Sequence, residues 1–188
     1  MSIDERTRAE VDRRLERLES EYGSFPIREE TVTNESSFFE QGVELAREGW
    51  IGDAGAWVTD AADRALLIRH EADPERWGTP GGGHEPGETM GETARREVRE
   101  ETGLEPTLTG VCFARQKTVV HEDDPERRFR MLTVIFEADV DAGDVVETAI
   151  QIGDDEILEA RWFEADDPPE AVHGFLEERV EDWETVTD

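Results

Sequence analysis

Glu97, Glu100 and Glu101 stand three and four residues apart, so a helix through them carries all three carboxylates on one face. Like charges at that spacing repel by about 0.2–0.5 kcal/mol per exposed pair, and by more when partly buried. A hard divalent cation would offset the repulsion, and Mg²⁺ is held by a few carboxylates together with substrate phosphates. Arg96 adjoins Glu97 and is placed to orient or neutralise it. Just upstream, residues 76–88 read RWGTPGGGHEPGE, a Gly- and Pro-rich stretch expected to be a loop. Its Gly81, Gly82 and Gly83 allow backbone to approach a phosphate closely. A glycine-rich loop running into an acid-faced helix is expected to form a metal–polyphosphate site.

The helix has its own local signals. Thr89 and Glu92 form a capping box that starts it near Met90. Met90, Ala94 and Val98 recur every four residues as a packing stripe. Gly103 suits a left-handed C-terminal position, and Pro106 bars continuation.

The segment Gly82 to Leu104 resembles the Nudix box, with Gly82, Glu88, Arg96, Glu97, Val98, Glu100, Glu101, Gly103 and Leu104 at its defined positions. The resemblance covers about residues 53–188 and implies an α/β fold, an α/β/α sandwich with a mixed β-sheet. It also implies water attack on the pyrophosphate linkage of a nucleoside diphosphate joined to another group, such as a nucleoside triphosphate or an ADP-ribose-like molecule. Mg²⁺ or Mn²⁺ would be bound. By the same resemblance Glu97, Glu100, Glu101 and Glu88 are metal-site residues, Glu88 in support. Glu97, Arg96 and Glu100 are catalytic, Arg96 orienting Glu97, and Gly81, Gly82 and Gly83 bind substrate. The general base is either a box glutamate or an acid of the later loop, where Asp154, Asp155 and Glu156 stand. Family members that act on dinucleoside polyphosphates or on ADP-ribose tend to carry a Tyr or a Pro shortly past the box. Here Val119, Val120, His121 and Glu122 stand there, leaving the substrate open. A Nudix-fold binding or regulatory module without turnover is the alternative; the intact box glutamates favour the enzyme.

Other candidates carry less. His84 is expected to be an exposed loop residue, and His70, His121 and His173 show no metal-ligand spacing. Trp77 is expected to pack rather than to stack on a base. Phe113, Arg115, Phe129 and Trp162 fit a base pocket or a structural role equally well. Cys112 is expected to be a small buried strand residue.

Around the box, Val11, Leu15 and Leu18 mark a helix over residues 2–21, ended by Gly23 and Pro26. Residues 27–35 are expected to be a linker. A second helix is expected over residues 36–48, with Phe38, Phe39, Val43 and Leu45 apolar. Strands are expected at 56–58, 65–68, 107–120, 129–139 and 156–163. An acidic loop is expected at 140–155, and a final amphipathic helix at 168–183. Residues 1–50 thus read as an N-terminal helical extension and 51–188 as the catalytic domain. The narrow stripe of the first helix needs a covering surface. Either its own domain or a second copy supplies one, and a homodimer contact is the expectation.

Composition limits the partners. The chain has 188 residues, 49 acidic against 20 basic, and a formal net charge of −29; Lys117 is the single lysine. No basic face is visible, which disfavours duplex nucleic acid and anionic membrane surfaces. No apolar run reaches 18 residues and residues 1–20 lack an apolar core, so neither a spanning helix nor a signal peptide is expected. One cysteine and no leader suggest the cytoplasm. At molar salt the Debye length is about 3 Å, so self-repulsion is screened; the composition is similar to that of a halophile's cytoplasmic proteins.

Overall fold

The computed structural model describes residues 1–140 and 156–186, with side chains through Trp183. The acidic loop expected at 140–155 therefore lies outside the described residues beyond Val140. Two compact units emerge.

The first unit comprises Met1–Ala54, Gly82–Thr93 and Gly110–Phe136. Its α1 (Ile3–Tyr22) begins at a capping box, with Glu5 N–H on Ser2 Oγ and Ser2 N–H on Glu5. Val11, Leu15 and Leu18 are buried as one stripe, joined by Thr7 and Arg14. The stripe is thus covered within its own chain, the first of the two surfaces open to it. Tyr22 meets Phe136 edge-on at 5.5 Å. Helix α2 (Ser36–Glu48) buries Phe39, Val43 and Ala46 and ends at Gly49, whose φ of +104° favours glycine. Phe38 and Leu45, two of its four expected apolar positions, are exposed.

The expected linker is instead strand β1 (Ile27–Asn34), parallel to β6 (Thr107–His121) from Ile27↔Ala114 to Asn34↔His121. Its sequence hides the strand because Ile27 and Val32 stand an odd distance apart and both are exposed, so no apolar alternation marks a face. Within this unit the strand order is β1-β6-β7-β2. β7 (Asp124–Asp139) starts five residues before the expected strand, directly after the Glu122-Asp123 turn. β2 (Gly52–Thr59) opens at Gly52 with φ +118°, where an added Cβ would stand 1.9 Å from the Leu132 carbonyl oxygen. Gly52→Ala is therefore expected to cost more than about 3 kcal/mol, read as a lower denaturation midpoint. An unchanged midpoint would refute that close approach.

The second unit comprises Gly55–Gly81, Ala94–Thr109 and Glu137–Asp188. β3 (Ala65–His70) is its centre: antiparallel to β2, to β4 (Asp73–Gly78) and to β8 (Ile157–Phe163). β4 takes Arg76, Trp77 and Gly78 out of the expected loop, and Gly81–Gly83 form a short strand, β5, on β2. The helix expected at 168–183 is shortened. Trp77 N–H donates to the Ala171 carbonyl and His173 N–H to the Trp77 carbonyl. This bridge holds the segment extended after Pro168-Pro169, and only after a 3-10 turn at Gly174–Leu176 does α4 (Glu177–Val186) begin. Trp183 then packs edge-on against Trp57 at 5.5 Å and donates its indole N–H to the Asp63 carbonyl. The chain is of the expected α/β class, with a mixed sheet, flanking helices and an N-terminal helix.

Candidate active site

Helix α3 (Met90–Thr102) follows the boundaries its sequence dictates. Thr89 N–H donates to Glu92 Oε2 (2.7 Å) and Glu92 N–H to Thr89 Oγ1 (3.2 Å). These bonds hold the Glu92 carboxyl below its ordinary range. Met90, Ala94 and Val98 are buried, as the stripe requires. Gly103 closes the helix at φ +72°, its N–H on the Arg99 carbonyl.

On the acid face, Arg96 Nη1 donates to Glu97 Oε1 at 2.7 Å and to Glu100 Oε2 at 3.2 Å. The Glu97 side chain is nearly enclosed, whereas that of Glu100 is half exposed. Glu101 is 4% exposed and accepts the Gly81 N–H on Oε2 at 2.7 Å. The glycine loop is thus tied through its backbone to the helix it precedes. Among the described residues no three His, Cys, Asp or Glu side chains converge as a metal-binding group. Glu97 and Glu100 share Arg96, while Glu101 meets the Gly81 N–H. Three hard oxygen donors on one helix face, two of them withdrawn from water, nevertheless suit a divalent cation. Burial of such carboxylates without compensating charge is costly.

At the start of the helix lies a chain of bonds the sequence did not announce. The Thr93 hydroxyl donates to Glu88 Oε2 at 2.7 Å, and His84 Nδ1 lies 3.0 Å from the same hydroxyl oxygen. The hydroxyl has one proton and gives it to the carboxylate, so Nδ1 is the donor toward Thr93. His84 is 2% exposed, against the expectation of an exposed loop residue. Its burial follows from this bond and from its own N–H on the Gly52 carbonyl. The available signal was Thr93, a polar residue beside the α3 packing stripe.

The remaining candidates separate clearly. Trp77 packs edge-on against Phe163 at 4.8 Å, with Arg69 over its ring, as expected of a packing residue. Phe113 and Phe129 are buried, and Arg115 is held by Glu30. Arg64 stacks on Trp162. Cys112 is only half-buried, because its position in β6 falls in a stretch of intermediate exposure. Glu156 is exposed, 3.5 Å from His70 Nε2, while Asp154 and Asp155 lie outside the described residues. Among the described residues no helix is long and apolar enough to cross a membrane.

The site's geometry is thus an acid-faced helix tied through Glu101 to the glycine turn before it. The NUDIX domain profile matches residues 51–183. The chain belongs to the Nudix family. It is 55% identical to the Nucleoside triphosphatase NudI of Enterobacter sp. (strain 638) over 51 residues, 27% of this chain and 32% of that protein. It is 30% identical to the ADP-ribose pyrophosphatase of Methanocaldococcus jannaschii over 114 residues, 60% of this chain and 61% of that protein. The chain thus spans about a third of the first relative and about three-fifths of the second. Two solved structures share the fold. A NUDIX-family hydrolase from Clostridium perfringens has a TM-score of 0.52 and 14% identity, over 74% of this chain and 99% of that one. A UDP-X diphosphatase has a TM-score of 0.50 and 17% identity, over 79% of this chain and 72% of that one.

Proposed function

We propose that this chain is a divalent-cation-dependent hydrolase that cleaves the pyrophosphate linkage of a nucleoside diphosphate joined to another group. The observation that carries this reading is the Glu97–Arg96–Glu100 cluster on α3, next in sequence to a Glu101 bonded to the glycine loop. The matched NudI and ADP-ribose pyrophosphatase favour a nucleoside triphosphate or an ADP-ribose-like substrate. Glu97, Glu100 and Glu101 are the proposed holders of Mg²⁺ or Mn²⁺, with Glu88 in support. The cation, when bound, neutralises phosphate charge and lowers the pKa of a bound water. The chain's own residues do the rest. Arg96 fixes the Glu97 and Glu100 side chains, and backbone at Gly81, Gly82 and Gly83 lies against the phosphates. A box glutamate or Glu156 takes the proton from the attacking water. A panel of nucleotides with Mg²⁺, read by phosphate release, tests the reading. Turnover of at least one member, abolished by EDTA, is expected; binding without turnover across the panel would favour a regulatory module instead.

The same proposal places residues 51–188 as the catalytic domain, in the cytoplasm of a salt-rich cell, without duplex nucleic acid or membrane as partner. Pairing of two copies would use surface other than the α1 stripe. With a net charge of −29, stability should depend on screening. Raising KCl from dilute buffer to about 2 M is expected to lift the melting temperature by about 10 °C, roughly 3–4 kcal/mol for a chain of this size. An equal or higher melt in dilute buffer would overturn the salt-adapted reading.

A further inference from the structure

A cavity of about 550 Å³ lies within the first unit, away in chemistry from the acid face of α3. Arg6, Arg13, Arg14 and Arg17 of α1 line it, with His84 and residues 86–89 of the box loop. Positions 6, 10, 13, 14 and 17 recur at helical spacing, so these arginines and Glu10 form a single stripe. Four of the 19 arginines in a chain of net charge −29 face one space.

The two carboxylates that line the cavity are engaged. Glu10 meets Arg13 at 2.6 Å and Arg14 at 2.7 Å. Burial would raise its pKa, but the hydrogen bonds and charges of both arginines outweigh that and hold it low. Glu88 accepts from Thr93. Arg14 is 8% exposed and is anchored by the Ile51 carbonyl at 2.8 Å, which sets a guanidinium firmly in the wall. Arg6 donates to the Arg47 carbonyl. Among the described residues, neither Arg6 nor Arg17 has a carboxylate within ion-pair distance. Arg13 and Arg17 are like charges four residues apart; Glu10 offsets the charge of Arg13, and a bound anion would offset the remainder. Thr89, the N-cap of α3, also lines the space, and the positive end of the helix dipole adds to the same field. Guanidinium groups present planar forks of N–H donors that match phosphate oxygens.

The geometry points to an anion site in this cavity, built by α1 to hold a phosphate or diphosphate group. The choice of phosphate among anions rests on the proposed hydrolase activity; the arginine stripe does not. Through this site the segment preceding the matched domain contributes to binding as well as to the core.

The test is calorimetric titration of the full chain in EDTA, at the lowest KCl that supports a cooperative melt. Pyrophosphate, inorganic phosphate, ADP and adenosine are the probes. Pyrophosphate is expected to bind and adenosine not to bind. Arg6→Gln and Arg17→Gln, both at exposed positions, should each weaken pyrophosphate about tenfold, the loss of one charge-assisted contact. Arg17→Lys should recover part of that loss. ADP binding weakened by the same variants identifies a nucleotide phosphate as the source, whereas insensitivity of ADP alone identifies free phosphate. No saturable pyrophosphate binding by the wild-type chain, or equal affinity in both Gln variants, would overturn the site. An inactive protein that still shows arginine-dependent binding would refute only the hydrolase activity. An active one without such binding would refute only the anion site.

Discussion

Glu100→Gln and Glu101→Gln, made separately, are expected to lower Mg²⁺-supported turnover by about 10³-fold, equivalent to roughly 4 kcal/mol of transition-state stabilisation. The two side chains sit differently, which makes the pair informative. Glu100 is half exposed and shares Arg96 with Glu97, so its amide replacement leaves packing untouched. Glu101 is buried, but a glutamine carbonyl still accepts the Gly81 N–H. Both substitutions remove one negative charge from a face where three compete. The melting temperature should hold or rise while activity falls. A purely structural role for these glutamates predicts the opposite, with stability lost and activity following it. Raising Mg²⁺ should restore part of the turnover if the loss lies in cation affinity. Turnover within a few fold of wild type in both variants would remove the box glutamates from the chemistry.

Helix α3 was legible because every signal for it is local. The capping box, the four-residue stripe and the terminal glycine all lie between Thr89 and Gly103. The acid face follows from spacing alone. What the spacing could not give was which donors each carboxylate meets. Gly81 lies 20 residues before Glu101, and the turn that joins them depends on β2 and β5. β1 was hidden for a related reason. Its partner β6 lies more than 80 residues on, and the strand exists by pairing rather than by propensity. The C-terminal helix starts later than its sequence predicts, because amphipathic spacing at 168–176 resembles a helix. The backbone there is instead committed to Trp77. The burial of His84 is not legible in sequence, because burial of a loop residue depends on what lies over it, which no window of sequence contains.

A chain that begins at Ile51, where the family match starts, is expected not to fold cooperatively even in about 2 M KCl. The residues removed are not an appendage in the first unit. Val11, Leu15, Leu18, Phe39 and Val43 are all buried there. At about 1.5–3 kcal/mol for each buried side chain, their loss amounts to about 7–15 kcal/mol as an upper estimate. That is the whole stability of a typical domain. Removal of β1 also strips β6 of its parallel partner along eight residues, and Arg130 loses Asp4 and the Thr7 hydroxyl. A single substitution grades the effect: Leu18→Ala should cost about 2–5 kcal/mol and lower the melting temperature by roughly 5–15 °C. Light scattering and thermal melts on the two chains distinguish the roles open to this segment. If it served only to join two copies, the shortened chain would be a stable monomer with the melting temperature of the full one. A core role requires that monomer to be absent, because Phe129 and Phe136, which pack with Phe39 and Tyr22, would then face water.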